Sequence, residues 1–307
     1  MTHVVIVGAG IAGVPAAYAI KSRLGPSDQV TVVSDRAYFN FVPSNPWIAM
    51  GWRNRNDIAF PIDPFLEARG IRFVMQGLAQ THAASNEIEL ADGGRLHYDY
   101  LVLAVGNAPA YDEVPGMDPA LGNVHSVIGL EQALDTSVAY QAFVKHPGPI
   151  VIGAAAGCAI LGPMYETAFL IDADLRRRGI RERATITVVT PEPYPAHFGL
   201  GVETETKRLL ENALAGHEIV TLTNMKTSKI APGEIHLTQY GPNGNPMAST
   251  TLPFAFGIYA PAYKGIAALS RTPELTNARG MVVVDEYLRN PTYPHVYAAG
   301  ICVAQAA

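Results

Sequence analysis

Cysteine is scarce in this sequence of 307 residues, which contains only Cys158 and Cys302. Two cysteines are too few for a disulfide framework or a cysteine-based metal cluster, so we expect no metal site. Either residue could simply serve as a small buried hydrophobic side chain. The chain is long enough for two domains that each have a hydrophobic core.

Charged residues and long apolar runs are scarce as well. Only 16% of the residues are charged, and the net charge of -5 argues against a nucleic-acid partner. No apolar run approaches the ~20 residues that span a bilayer, and the start lacks the basic and apolar regions of a secretory signal. We therefore expect a cytoplasmic chain without a transmembrane segment. Glycine and proline are plentiful, with 28 and 23 residues, which suits a strand-rich α/β protein with many turns.

The strongest motif lies in the first fourteen residues, where a β-branched run leads into G-x-G-x-x-G and then into a helix. Its glycines are Gly8, Gly10 and Gly13. In such a turn the first glycine makes the tight bend, the second admits a pyrophosphate, and the third lets helix and strand pack closely. The helix N-terminus supplies N–H groups for the phosphate. Ser34 and Asp35 end the next strand, where a ribose hydroxyl needs an acceptor. The pattern predicts a dinucleotide site; the alternative is a tight turn without a ligand.

Two later segments strengthen this interpretation. Residues 98–106 form a buried strand that ends in small residues and is followed by Val114-Pro115-Gly116, and residues 296–300 read Val-Tyr-Ala-Ala-Gly. With the opening motif, these segments resemble the flavoproteins that have two dinucleotide-binding domains. The resemblance implies bound FAD and an α/β fold of two Rossmann-like domains, the first completed by the C-terminal segment. The implied domains are residues 1–125, 126–255 and 256–307.

A second βα motif begins at Pro149, but its glycine pattern is incomplete. Ala155 and Cys158 occupy the positions of the second and third glycines. The following strand ends in Thr190-Pro191 and offers no acid to a ribose. A methyl group at the pyrophosphate approach costs contact distance. We therefore expect a second domain that keeps the fold without the nucleotide, which argues against NAD(P)H as electron donor.

Four further segments narrow the resemblance. They are residues 41–47, residues 162–166, His197 with Gly199, and residues 261–265. Together with the apolar Ile301 after Gly300, they resemble sulfide:quinone oxidoreductases, kin of flavocytochrome c sulfide dehydrogenase. The resemblance implies that sulfide passes two electrons through FAD to a quinone and grows into polysulfide. It also makes Glu166 and His197 acid–base candidates; the alternatives are a helix-surface carboxylate and a buried, satisfied histidine.

The sequence departs from that family at its reactive cysteines. The family usually carries three, and here two of the positions hold Ile128 and Ile160 while the third would lie beyond residue 307. Gln132 also replaces an expected histidine. Cys158 and Cys302 remain the candidate redox-active thiols, with packing as the alternative for each. The family continues beyond residue 307 with quinone-pocket aromatics and amphipathic helices. We therefore expect peripheral membrane association only through that C-terminal part of the family.

The resemblance also assigns the candidate FAD contacts, residue by residue. They are Gly8, Gly10, Ala12 and Gly13 at the pyrophosphate; Ser34 and Asp35 at the ribose; Pro43, Ser44 and Asn45 near the ring system; Leu78 near adenine; Ala104 and Gly106 along the diphosphate; and Gly300 and Ile301 near the ribityl chain. Three hypotheses stay open: a sulfide:quinone enzyme, a flavoprotein with NAD(P)H or a thiol as donor, and a non-catalytic flavin-binding homologue. A homo-oligomer is compatible with each of them.

Overall fold

The computed structural model describes residues 1–199 and 205–304. The chain divides into two compact units. The first comprises Met1–Phe41, Ala59–Ala108 and the chain from Lys264 onward, and the second comprises Val42–Ile58 and Pro109–Tyr263.

The described residues fold into β-strands, α-helices and short 3₁₀ turns. The strands are β1 (His3–Val7), β2 (Gln29–Ser34), β3 (Tyr38–Asn40), β4 (Ala59–Pro61), β5 (Arg72–Met75), β6 (Leu78–His82), β7 (Glu87–Leu90), β8 (Arg95–His97), β9 (Tyr100–Leu103), β10 (Ala108–Pro109), β11 (Ile150–Ala154), β12 (Ile186–Val189), β13 (Ile219–Leu222), β14 (Met225–Ala231), β15 (Glu234–Tyr240), β16 (Pro246–Pro253), β17 (Phe256–Ala260), β18 (Tyr263–Lys264) and β19 (Val296–Ala298). The helices are α1 (Gly13–Lys21), α2 (Asn45–Ala49), α3 (Arg55–Ile58), α4 (Asp63–Glu67), α5 (Leu130–Phe143), α6 (Gly162–Arg177), α7 (Glu205–Gly216) and α8 (Ala267–Ser270). The 3₁₀ turns cover Val42–Ser44, Ala83–Ser85, Tyr111–Glu113, Pro119–Leu121, Arg181–Arg183 and Pro273–Leu275.

The first unit is built on a parallel sheet with the strand order β19-β9-β1-β2-β5. Side chains alternate across it: Val5 and Val7 enter one buried cluster, and Val4 and Ile6 enter another. Both faces of a parallel sheet must be covered, which explains why β1 is apolar on both sides from Val4 to Val7. The antiparallel strands β6, β7 and β8 and the β3–β4 pair complete the unit.

The second unit has its own parallel sheet, in the order β13-β12-β11-β17. Ile150 and Ile152 enter the cluster that includes residues of α5 and α6, whereas Val151 faces the cluster formed with the antiparallel sheet β14-β15-β16. Among the described residues, no helix combines the length and apolar character needed to cross a membrane.

Two buried carboxylates anchor helix α6 within the second unit. Asp172 accepts hydrogen bonds from Arg176 Nε at 2.9 Å, Arg181 Nε at 2.5 Å and His217 Nδ1 at 2.7 Å. Asp174 accepts from Trp52 Nε1 at 2.9 Å and Tyr140 Oη at 3.0 Å. Neither carboxylate side chain is exposed to solvent. Buried charges of this kind are tolerated because every one of them is paired and hydrogen-bonded.

The α/β fold with two Rossmann-like units is confirmed, and β19 pairs with β9 to complete the first sheet. The unit boundaries differ from the predicted domain ends at residues 125 and 255. Phe256–Ala260 pairs with Ile150–Ala154, so this strand belongs to the second unit. Residues 42–58 join it too, because α2 packs on α5 and α6. An apolar strand does not itself encode which sheet it extends, so the sequence pattern alone did not separate these segments.

Candidate dinucleotide and acid–base sites

The first βα turn is closed so tightly that two of its glycines have no room for a side chain. Gly8 has a φ of +107°, and a Cβ there would lie 2.1 Å from the carbonyl oxygen of Ala104. A Cβ on Gly13 would lie 1.8 Å from the carbonyl oxygen of Gly8. Both obstructing atoms belong to the backbone and cannot rotate away. The turn therefore locks β1, β9 and the start of α1 together.

Gly10 lies in the same turn but faces open space. A Cβ built there meets no described atom within 4 Å, and the same holds at Gly106, whose φ is +72°. The third residue of a G-x-G-x-x-G turn is the point where a pyrophosphate approaches the backbone. The open cradle at Gly10, next to the N-terminus of α1, fits such a group.

The end of β19 adjoins this turn. Gly300 has a φ of +78°, and a Cβ there would lie 2.9 Å from Ala12 Cβ. Ile301, the next residue, is half exposed. The structure therefore brings Ala12 and Gly300, which are far apart in sequence, to neighbouring positions at the same edge of the sheet.

The candidate ribose and adenine contacts lie at the end of β2 and the start of β6. Ser34 is buried and its Oγ accepts a hydrogen bond from the amide of Arg36 at 3.2 Å, whereas Asp35 is exposed. Asp35 Cβ is 3.8 Å from the place of a Cβ on Gly77, the residue before Leu78. Asp35 therefore lies beside Gly77, the residue before the half-buried Leu78.

The candidate residues Pro43, Ser44 and Asn45 belong to the second unit. Ser44 and Asn45 are buried. Ser44 Oγ accepts a hydrogen bond from Arg53, and Asn45 Nδ2 donates to the carbonyl of Ile128 at 3.0 Å. These side chains fix the start of α2 on the loop before α5, and Pro43 stays exposed.

The second βα turn is built differently. Its connection runs from residue 155 to 161, seven residues against the five of residues 8–12 in the first turn. A Cβ on Gly153 would lie 2.1 Å from the ring of Tyr259, its neighbour on β17, and Tyr259 Oη is 2.5 Å from Thr227 Oγ1. Gly153 is therefore required by a buried tyrosine. The sequence does not predict this role of Tyr259, because 106 residues separate the two positions and no local signal marks their pairing.

Glu166 lies on the exposed side of the first turns of α6. Trp47 Nε1 donates to its Oε1 at 3.0 Å, and the guanidinium of Arg53 stacks over the Trp47 ring at 4.8 Å. Trp47 therefore fixes one oxygen of the carboxylate. In the sequence Trp47 stands out only as part of an aromatic loop, and a hydrogen bond across 119 residues leaves no local signal.

His197 lies in the loop that follows β12. Its Nδ1 accepts a hydrogen bond from the amide of Gly199 at 3.1 Å, and its ring contacts Tyr194 edge to face at 5.0 Å. Tyr165 precedes Glu166 and Phe198 follows His197, and their rings are 6.0 Å apart. The Tyr165 hydroxyl and the Phe198 amide both donate to the buried carboxylate of Glu192. The structure thus links the helix of Glu166 to the loop of His197.

Both cysteines are buried, in separate units. Burial raises the pKa of the Cys158 thiol to about 11, and its Sγ lies 3.6 Å from the carbonyl of Ile160. Burial also raises the pKa of Cys302, whose Sγ donates to the carbonyls of Leu103 at 3.2 Å and Ala299 at 3.3 Å. A reactive thiol needs a lowered pKa and access. These surroundings favour the packing alternative for both residues.

The positions where the family carries cysteine and histidine are occupied by packing residues. Ile128 and Ile160 are half-buried against the same cluster that receives Trp47 and Trp52. Gln132 Oε1 accepts from the amide of Gly129 at 3.3 Å and its Nε2 donates to Tyr111 Oη at 3.0 Å. Gln132 therefore caps the start of α5 with both ends of its amide engaged.

Comparison with known proteins identifies the class that this fold and turn define. Residues 2–306 match the family described as pyridine nucleotide-disulphide oxidoreductase. The sulfide-quinone reductase of Aquifex aeolicus is 34% identical over 98% of this chain and 68% of its own length. The crystal structure of the sulfide:quinone oxidoreductase from Aquifex aeolicus matches with a TM-score of 0.93 and 33% identity, over 99% of this chain and 69% of that one.

The chain therefore belongs to the pyridine nucleotide-disulphide oxidoreductase family and, within it, to the sulfide:quinone oxidoreductases. It is an FAD-dependent oxidoreductase of that type. A more distant relative, an NADH dehydrogenase-like protein of Mycobacterium tuberculosis, is 24% identical over 98% of this chain and 72% of its own length.

Proposed function

We propose that the chain holds FAD in its first unit and passes two electrons from sulfide to a quinone, with the sulfur released as polysulfide. The observation that carries this proposal is the open cradle at Gly10, inside a turn whose other glycines have no free space. The second turn has a longer connection, and its first glycine is covered by Tyr259. One dinucleotide site is therefore proposed, and it is the one in the first unit.

The residues proposed to hold FAD are those gathered at the edge of the first sheet. They are Gly8, Gly10, Ala12, Gly13, Ser34, Asp35, Leu78, Ala104, Gly106, Gly300 and Ile301. Pro43, Ser44 and Asn45 stay the contacts that the resemblance predicts near the ring system. When bound, FAD supplies an acceptor for two electrons and passes them on to the quinone.

Glu166 and His197 are proposed as the acid–base groups of the sulfide side. Hydrogen sulfide must give up its proton as its sulfur gives up electrons, and a positioned carboxylate or imidazole takes that proton. Glu166 is exposed and held by Trp47 through one oxygen. Because the amide of Gly199 donates to Nδ1 of His197, the neutral ring carries its proton on Nε2.

Sulfide turnover is proposed to proceed without a thiolate from Cys158 or Cys302. Both thiols are buried with raised pKa values, so neither supplies a thiolate at neutral pH. A sulfide sulfur would give up its proton to Glu166 or His197 and two electrons to the acceptor that bound FAD would supply, and it would leave bonded to further sulfide. The quinone takes up the two electrons with two protons.

The test is anaerobic mixing of the FAD-loaded protein with sulfide, with NADH or with buffer alone, followed by a soluble quinone. We expect sulfide to bleach the flavin absorbance, NADH to leave it unchanged, and the quinone to restore it. The same result is expected for the double variant Cys158→Ala/Cys302→Ala. Glu166→Gln and His197→Gln should slow the sulfide step by about 10²-fold or more.

Each other outcome selects a different function. Bleaching by NADH and not by sulfide would make the protein a pyridine-nucleotide oxidoreductase like its more distant relatives. A yellow protein that responds to neither donor would be a flavin-binding homologue without this activity. Loss of sulfide bleaching in the cysteine double variant would restore a thiol-based mechanism.

The proposed location is the cytoplasm or the surface of a membrane as a peripheral protein, where a quinone acceptor would be reached. Cell fractionation tests it: the protein should be found in the cytosolic fraction or be released from membranes by high salt. Retention in membranes until detergent is added would contradict both locations.

A further inference from the structure

Glu192 is a buried carboxylate that no part of the proposed chemistry uses. It follows β12 between two prolines, Pro191 and Pro193, and is 5% exposed. Its Oε2 accepts hydrogen bonds from Thr190 Oγ1 at 2.9 Å and from the Tyr165 hydroxyl, and its Oε1 accepts from the amide of Phe198 at 2.7 Å. A buried carboxylate is costly unless such donors satisfy it.

The loop that this carboxylate holds is strained on both sides of His197. Ala196 has a φ of 64° and Phe198 a φ of 47°, the left-handed region that non-glycine residues rarely adopt. Such conformations are costly and persist only where the surroundings over-determine them. The backbone amide that donates a hydrogen bond to Glu192 Oε1 is that of Phe198, one of the two strained residues.

The same carboxylate is bonded to helix α6 at Tyr165, the residue before Glu166. Tyr165 also contacts the ring of Phe198, the residue after His197, at 6.0 Å. The carboxylate of Glu192 therefore joins the side chain of Tyr165, next to Glu166, to the backbone of Phe198, next to His197. The Tyr165 hydroxyl also bonds the backbone of Ala196, the residue before His197, so Tyr165 and Glu192 make this link together.

We propose that Glu192 is the positioning residue for His197. Through the bond to the Phe198 amide, it keeps the loop in the conformation in which Gly199 N–H meets Nδ1 and the ring proton stays on Nε2. This inference rests on the proposed acid–base role of His197 for its functional meaning. Its geometry stands on the contacts of Glu192 alone.

The test is the ¹⁵N spectrum of the histidine side chains in the FAD-loaded protein, with the His197 signals assigned from the His197→Gln variant. In the unsubstituted protein, we expect a fixed tautomer with distinct signals for the acceptor Nδ1 and the protonated Nε2. Glu192→Ala and Glu192→Asp should both collapse these signals toward the averaged position of free histidine. Aspartate keeps the charge but is one methylene too short to reach the Phe198 amide.

Two variants separate positioning from a general loss of stability. Glu192→Gln keeps a carbonyl oxygen for the Phe198 amide and should retain the fixed tautomer. Thr190→Val removes one donor to Oε2 while leaving Oε1 bonded to Phe198, and it should retain the tautomer as well. The proposal fails if folded Glu192→Ala or Glu192→Asp protein keeps the His197 signals, or if Glu192→Gln loses them.

The readout does not depend on the electron donor. If sulfide fails to bleach the flavin while the tautomer follows Glu192, the proposed reaction is wrong and the positioning role stands. If sulfide bleaches the flavin while the tautomer ignores Glu192, the positioning role is wrong and the reaction stands.

Discussion

Gly13 and Gly153 each exclude a side chain, but the atoms that exclude it differ in kind. At Gly13 the obstacle is a backbone carbonyl, that of Gly8, at 1.8 Å from a built Cβ. At Gly153 it is the ring of Tyr259, at 2.1 Å. The first glycine serves a turn that presses backbone on backbone and leaves Gly10 open. The second accommodates the ring of a tyrosine on the neighbouring strand, so similar sequence patterns exclude a side chain for different reasons in the two units.

The largest effect is expected from Gly13→Ala. The obstructing carbonyl cannot move without opening the β1–α1 turn, so we expect a loss of about 3 kcal/mol or more in the free energy of unfolding. Gly153→Ala should cost about 1–3 kcal/mol, and that cost should vanish in a Tyr259→Leu background because the obstacle is a side chain. Urea unfolding of the single and double variants measures both. Equal costs at Gly13 and Gly153, or no relief by Tyr259→Leu, would contradict the distinction.

The next effect concerns the anchor of α6, the helix after the second turn. Asp172→Asn leaves Arg181 and His217 around a neutral amide and should lower the free energy of unfolding at pH 7 by about 3 kcal/mol. Burial raises the pKa of Asp172, but the hydrogen bonds from Arg176, His217 and Arg181 outweigh it and hold the pKa below the usual 3.8. The native carboxylate therefore stabilises the fold above pH 3.8, and this stabilisation is lost as the pH falls through the lower native pKa.

The wild-type and Asp172→Asn unfolding curves should accordingly converge only below about pH 4. Glu131→Gln, which breaks the exposed pair with Arg55, is the matched control and should change stability by less than about 1 kcal/mol. A constant difference between wild type and Asp172→Asn down to pH 2 would show that the charge of Asp172 is not what anchors α6.

Gly10 offers a smaller effect on folding and a large one on flavin binding. A side chain there meets no described atom, so Gly10→Val should leave the unfolding free energy within about 1 kcal/mol of wild type. The purified protein should nevertheless be colourless, because the side chain fills the place of the pyrophosphate. Gly10→Ala should weaken FAD about tenfold or more. Gly162→Ala, at the equally open start of α6, is the control and should keep full flavin content; a yellow Gly10→Val protein would misplace the site.

The smallest effect is expected at Cys158, which stands at the third glycine position of the second turn. With a pKa of about 11 against the usual 9.0, its thiolate fraction at neutral pH is about a hundredfold below that of an ordinary thiol. In Cys302→Ala protein, alkylation by iodoacetamide followed by mass spectrometry should be slow at pH 7.5 and still rising at pH 10. Fast modification with a plateau near neutral pH would reveal an activated thiol.

Local sequence chemistry predicted the first unit well. The β-branched run of β1, the three glycines and the acid after β2 each act within a few residues, and their chemistry needs no information from distant parts of the chain. The missing second glycine at Ala155 is equally visible in the sequence, and the absence of a nucleotide there stays a prediction. The sequence analysis assigned Phe256–Ala260 to the segment that returns to the first domain, whereas this strand pairs with β11 of the second unit.

The sequence by itself determined a glycine turn with room for a pyrophosphate, two βα units and the absence of cysteine at the family's positions. Only the tertiary structure decided that Tyr259 packs against Gly153, that Trp47 holds Glu166 and that Glu192 joins α6 to the loop of His197. Each of these contacts depends on the direction in which a side chain leaves a distant strand or helix. Such directions follow from packing in three dimensions and leave no periodic trace in the chain.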